Sequence, residues 1–147
     1  MTKILAICAL KHEFVNLTKH PVKVIYTGIG KINATHHTTK ALYTFQPDII
    51  INVGTAGAIN KDCHGMLEVT KVIQRDMMVE PFAKRGVTPF CLHPAAYYPL
   101  QSNNQYKKIN TNNDPVTCGT GDSFVNAEDP WLLENKVDIV DMELFAI

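Results

Sequence analysis

The run Asp48-Ile49-Ile50-Ile51-Asn52-Val53 constrains the fold more than any other stretch of this chain. It reads as a buried strand of the kind found in parallel sheets covered by helices. Gly54 ends it, and Thr55-Ala56-Gly57-Ala58 follow. Small residues after a strand let a ligand approach the backbone closely. Two distant segments share this character: Gly119-Thr120-Gly121-Asp122-Ser123-Phe124-Val125 and Val140-Asp141-Met142-Glu143. A carboxylate at the end of a buried strand is costly unless something pairs with it. Together the three segments point to one pocket at the edge of an α/β sheet, where open sheets bind ligands.

Other elements alternate around that strand. Lys3 to Leu10 is a nearly unbroken apolar run, and Val22 to Tyr26 is a second β-rich run. Thr27-Gly28-Ile29-Gly30 is a turn opening a helix from Lys31 to about Phe45, in which Ile32, Ala41, Leu42 and Phe45 recur at helical spacing. Pro47 stops it. Leu67 to Ile73 and Val116 to Cys118 read as strands, and Val137 to Val140 as the last. Asp129 is placed as an N-cap with Pro130 at the first helical position. Glu143 to Ile147 reads as the first turns of a helix. From Glu80 to Pro115 the pattern dissolves among prolines 81, 89, 94, 99 and 115, which predicts a long irregular loop: a lid, a binding loop, a partner contact or a mobile insertion. The fold class expected is α/β, a single domain with a mixed, largely parallel sheet flanked by helices.

At 147 residues, 46% hydrophobic and 19% charged, one globular core is the expectation. Fourteen basic residues balance fourteen acidic ones, so no global field attracts nucleic acid or an anionic membrane. No segment is long enough to span a bilayer. The first apolar run lacks a small-residue cleavage site and leads directly into Lys11-His12-Glu13, so it is read as a strand rather than a signal peptide. The cysteines at 8, 63, 91 and 118 have no C-x-x-C spacing. Cys63-His64 and Cys91-Leu92-His93 lack the partners that would complete a metal site, and neither metal nor cofactor is expected. Cys8 and Cys118 are expected as buried thiols, which fits reduced cysteines and a cytoplasmic location. Gly28-Ile29-Gly30 is not a dinucleotide fingerprint, because Asn33 stands where the third glycine belongs.

The chain resembles the purine and uridine phosphorylase superfamily, and within it the 5′-methylthioadenosine/S-adenosylhomocysteine nucleosidases. Five segments carry the resemblance in order. They are Ala9-Leu10-Lys11-His12-Glu13, Thr27-Gly28-Ile29-Gly30-Lys31-Ile32-Asn33-Ala34, Pro47 to Gly57, Gly121-Asp122-Ser123-Phe124-Val125 and Val140-Asp141-Met142-Glu143. The resemblance implies hydrolysis of the N-glycosidic bond of a purine nucleoside. It also implies a nucleoside as small-molecule partner, a homodimer, and a domain over residues 1–147 that lacks the family's C-terminal strand and helix.

The resemblance makes Glu13 the carboxylate that activates water on the sugar face opposite the base, and Thr55 a contact of sugar and water. Ala56 and Gly57 line the ligand loop, Phe124 stacks on the purine, and the Val125 backbone bonds its edge. Met142 packs on the sugar, and Glu143 accepts hydrogen bonds from both ribose hydroxyls. Each has a plainer alternative: Glu13 a surface carboxylate, Thr55 a strand-end hydroxyl, Phe124 and Met142 core side chains, Glu143 a helix-start residue favoured by the dipole. The family's general acid is an aspartate beyond the helix that begins at Glu143, and no aspartate here matches it. The segment between Glu13 and Val22 is also shorter than in the commoner nucleosidases. A phosphorylase and a non-catalytic nucleoside-binding domain are the competing functions. Phosphorylases carry an arginine in the first loop, where this chain has Lys11-His12-Glu13.

Overall fold

The computed structural model describes residues 2–14, 21–90, 97–99 and 115–147, in two compact units. The first unit comprises Met1–Thr55 with Met142–Ile147, and the second Ala56–Asp141.

In the first unit, β1 (Ile4–Cys8) lies between β2 (Val22–Tyr26) and β3 (Ile49–Asn52), and both pairings are parallel. A central strand has neighbours on both edges, and Leu5 to Cys8 are buried. The helix α1 (Lys31–Phe45) crosses from β2 to β3. Leu5, Ile7 and Ala41 form the core, with Ile25, Phe45 and Ile147 against it.

The helix has the expected bounds, but its buried stripe differs from the one the apolar spacing picked out. Ala34, Thr38 and Ala41 are buried, whereas Ile32 is 83% exposed and Leu42 is exposed as well. Small side chains at helical spacing form the packed face here. The turn entering α1 needs its glycines: Gly28 has φ +80° and Gly30 φ +94°. Gln46 closes the helix in the left-handed region, donating its N–H to the Leu42 carbonyl, and Pro47 follows.

In the second unit the strand order is β4 (Gly57–Ala58), β8 (Ile139–Asp141), β7 (Val116–Thr120), β5 (Val69–Gln74) and β6 (Tyr97–Pro99). β5, β7 and β8 run parallel. β4 and β6 pair antiparallel at the two edges. β6 lies inside the stretch expected to be irregular. Pro99 there ends an edge strand, a position that tolerates a missing N–H donor. The rest of the expected loop over 91–96 and 100–114, and most of the short segment after Glu13, lie outside the described residues.

The helix α2 (Pro130–Glu134) connects β7 to β8 and begins as expected, with the Asp129 carboxylate accepting the Trp131 N–H. Arg85 donates to both Asp129 oxygens, at 3.0 and 2.6 Å, and stacks over the Trp131 ring at 4.3 Å. Those Arg85 hydrogen bonds hold the Asp129 carboxyl below the usual range. Ile73, Leu132 and Val137 form the core of this unit. The last residues, Leu144–Ala146, form a single 3-10 turn. Among the described residues, no helix is long and apolar enough to cross a membrane.

Candidate active site

The site begins where β1 and β3 end side by side, with Ile7 opposite Asn52. The loop after each strand contributes one residue to a shared contact. Glu13, half-buried in the turn after β1, points its carboxylate at the Gly54-Thr55 loop. Oε1 accepts the Thr55 N–H at 3.1 Å and the Thr55 hydroxyl at 2.5 Å. Oε2 accepts the Leu10 N–H at 2.9 Å, with the Cys8 thiol at 3.5 Å. A carboxylate has about four lone-pair sites; the Thr55 N–H, the Thr55 hydroxyl and the Leu10 N–H take three, and the one Cys8 proton is shared with the Leu10 carbonyl, 3.3 Å from the sulfur. A Cβ at Gly54 would lie 3.9 Å from Oε1, ordinary contact, so this glycine is not demanded by crowding.

Burial of Glu13 works to raise its pKa. The hydrogen bonds from the Thr55 side chain and backbone, then from Leu10 and Cys8, outweigh that and hold it below the ordinary carboxylate range. Burial raises the Cys8 thiol, and the Glu13 charge raises it further, so Cys8 stays a protonated donor. The Thr55 hydroxyl spends its proton on Glu13, which leaves its oxygen as an acceptor toward solvent. An ionised carboxylate beside an exposed hydroxyl can orient a water and take its proton.

Glu143 lies in the same unit. Its Oε1 accepts the Gly30 N–H at 2.7 Å, across 113 residues of sequence. Gly30 is the N-cap of α1 and has no side chain to cap with, so Glu143 supplies the acceptor and the charge that a helix start favours. Met142 beside it is half-buried.

The remaining candidates belong to the second unit. Ala56 and Gly57 are exposed, and Gly57 pairs with Val140, whose Cγ2 would lie 3.2 Å from an added Cβ. Val125 packs against the Ile73–Leu132–Val137 core. Phe124 is 84% exposed, which removes the alternative of a core aromatic.

In the second unit, the partners of two charged residues emerge only from the structure. Asp141, at the end of β8, accepts the Thr120 hydroxyl at 2.5 Å and the Cys118 thiol at 3.3 Å. Burial pushes that thiol strongly up, with the Asp141 charge adding to it. Arg75 is buried beneath the Gly119–Ser123 turn. The signal for it was present: Arg75-Asp76 is a charged pair one residue after the apolar Val72-Ile73, with Gln74 between, where a free charge would be costly.

Solved structures share this fold. A futalosine hydrolase mutant of Helicobacter pylori superposes with TM-score 0.75 over 99% of this chain and 81% of that one, at 20% identity. A 5′-methylthioadenosine/S-adenosylhomocysteine nucleosidase from S. pneumoniae, solved with a transition-state inhibitor, superposes with TM-score 0.71 over 99% and 77%, at 24% identity. These likenesses define the class: an α/β protein of the nucleoside phosphorylase fold. Residues 7–147 match the family model of the phosphorylase superfamily, and the chain belongs to that superfamily. It is 32% identical over 138 residues to the 5′-methylthioadenosine/S-adenosylhomocysteine nucleosidase of Haemophilus ducreyi, a match that covers 86% of this chain. The match spans 59% of that relative's length.

Proposed function

We propose that the protein hydrolyses the N-glycosidic bond of a purine nucleoside carrying a 5′-thio substituent. 5′-Methylthioadenosine or S-adenosylhomocysteine is the substrate in this reading, and the products are adenine and the free thioribose. The observation that carries it is the Glu13 carboxylate, held ionised by Thr55 and Leu10 at the end of β1. Water, activated by Glu13 and contacted by Thr55, attacks the anomeric carbon as the bond to the purine breaks. Its proton goes to Glu13, and the bond's electron pair leaves with the base. In this reading Ala56 and Gly57 line the ligand loop, Phe124 and the Val125 backbone meet the purine, and Met142 and Glu143 meet the ribose. The departing purine takes up one proton from solvent, which balances the one that Glu13 takes from the water and later returns to solvent.

The named nucleosidase relative supports this reading over phosphorolysis. So does the placement of charge, since a phosphate anion beside the Glu13 anion is unfavourable. The 5′ group is the open choice, because a futalosine hydrolase shares the fold as well. The reading carries with it a reduced, cytoplasmic setting, supported by free thiols at Cys8, Cys63 and Cys118. It also carries a homodimer, which rests on the family resemblance alone. The test is product analysis with 5′-methylthioadenosine, S-adenosylhomocysteine and futalosine offered separately. Release of free base from either thio-nucleoside supports the proposal, release from futalosine alone moves the substrate, and release from none removes the hydrolase reading.

A further inference from the structure

We infer that Arg75 is the positioning residue for the segment that meets the purine, an inference that rests on the proposed roles of Phe124 and Val125. Arg75 follows β5 in the second unit and is 5% exposed. Its Nε donates to the Gly119 carbonyl at 3.2 Å, and its Nη1 to the Ser123 hydroxyl at 3.3 Å. Its Nη2 donates to the Gly121 carbonyl at 3.1 Å and to the Ser123 carbonyl. One planar guanidinium therefore ties down three alternate residues immediately before Phe124. Asp76 ties a fourth, accepting the Asp122 N–H at 2.8 Å.

The glycines of this turn make room for that clamp. A Cβ at Gly121 would lie 2.8 Å from Arg75 Cζ and 3.0 Å from Asp76 Cγ. At Gly119 it would lie 3.0 Å from Val137 Cγ1 and 3.5 Å from Arg75 Cδ. The backbone of Arg75 is itself anchored, because its carbonyl accepts the Arg85 Nε–H at 2.7 Å and Arg85 is paired to Asp129.

Holding β5 to β7 does not require this arrangement, since the two strands already pair from Val69 to Gln74. Burying a charge is expensive, and an apolar side chain would fill the space at less cost. What the guanidinium adds is a turn of one fixed shape, with five donors in a rigid plane that lysine cannot reproduce. That turn presents Phe124 outward and sets the direction of the Val125 peptide. A 6-amino purine and a 6-oxo purine offer opposite donor and acceptor patterns at the edge. A peptide in one orientation discriminates between them, and a loosely held one does not.

The test compares the wild-type chain with Arg75→Lys and Ser123→Ala. Calorimetry gives affinities for 5′-methylthioadenosine and 5′-methylthioinosine, and hydrogen exchange is followed over Gly119–Val125. In Arg75→Lys the adeno-to-inosine affinity ratio should narrow about tenfold, roughly one hydrogen bond's worth. Exchange at Ser123–Val125 should speed up while β8 keeps its protection. Ser123→Ala removes one acceptor from an exposed residue and leaves the fold intact. It should shift both readouts the same way by less, and it decides the matter if Arg75→Lys does not fold. Equal weakening of both ligands, with the ratio and the local exchange unchanged, would mean a merely structural arginine and overturn the inference. A wild type that binds neither nucleoside overturns the purine reading itself, and the base-selecting role falls with it.

Discussion

Replacing Glu13 by Gln exchanges one carboxylate oxygen for an amide NH2 in a nest of four donors. The native oxygens accept the Thr55 N–H and hydroxyl on one side and the Leu10 N–H and Cys8 thiol on the other. Glutamine offers one acceptor oxygen and two donors. Its oxygen should turn to the half-buried Leu10 side, because water can replace the lost partner at exposed Thr55 and the Thr55 hydroxyl can rotate to accept. The cost to the fold is then one charged hydrogen bond, about 1–2 kcal/mol. The cost to the chemistry is the base itself, a factor of about 10² to 10⁴, or roughly 3–5 kcal/mol of barrier.

The two costs separate cleanly. A domain stable by about 5–15 kcal/mol that loses 1–2 remains almost wholly folded, so lost structure cannot account for a hundredfold loss of turnover. The assay is adenine release from 5′-methylthioadenosine, with the folded fraction followed by circular dichroism. We expect kcat to fall at least a hundredfold with KM little changed, because in the proposed reaction Glu13 acts on the water rather than on the nucleoside. Turnover within about fivefold of wild type would remove Glu13 from the mechanism. The pH dependence has a definite sign. The folded pKa of Glu13 is depressed, so its stabilising contribution is full above the ordinary glutamate range. It is lost as pH falls through the folded value. The melting-temperature gap between wild type and Glu13→Gln should therefore be widest near neutrality and close under acid.

Phosphate should not be consumed: in phosphate buffer the sugar product should be the free thioribose, and a sugar 1-phosphate detected by mass spectrometry would favour the transferase reading. Glu143→Ala should erase most of the preference for ribo- over 2′-deoxyribonucleosides, which calorimetry on the native protein should find worth about 1.5–3 kcal/mol. Equal ribo and deoxyribo affinities in the native protein would leave Glu143 as the cap of α1. Thr38→Val should raise stability by about 1 kcal/mol, because the buried Thr38 hydroxyl has no hydrogen-bond partner among the described residues and valine keeps its shape. An unchanged or lowered melting temperature would count against that accounting.

The legible parts of the fold were those with a local cause. β2 and α1 have the bounds read from apolar runs and from the Gly30 and Pro47 boundaries, and α2 starts at Pro130 behind its Asp129 cap. β4 and β6 had no such signal. One is two residues long and the other ends in a proline, and both exist because a neighbouring strand offers an edge. The apolar spacing of α1 finds Ala41 and Phe45 of its packed face but not Ala34 and Thr38, for a related reason. Ala34 and Thr38 contribute little apolar surface, and their burial comes from tertiary packing, which periodicity within the helix does not encode.

The candidate site divides along the same line. Glu13 and Thr55 could both be named from the sequence, and parallel pairing of β1 with β3 is what makes their loops meet. The proton affinity of Glu13 could not be read, since it depends on donors at Cys8, Leu10 and Thr55 converging in space. Glycines are where sequence reasoning was most ambiguous, because a missing Cβ can make room for anything. Gly28 and Gly30 answer to backbone conformation, Gly57 to Val140, and Gly119 and Gly121 to Arg75, Asp76 and Val137. Gly54 differs from all of these. It lacks a positive φ, and among the described residues an added Cβ there would meet nothing closer than the oxygens of Glu13, at 3.9 and 4.0 Å. Among the glycines of the proposed ligand loops, it is therefore the one where a methyl group would sit beside the carboxylate proposed as base, in ordinary contact, rather than press into strand packing.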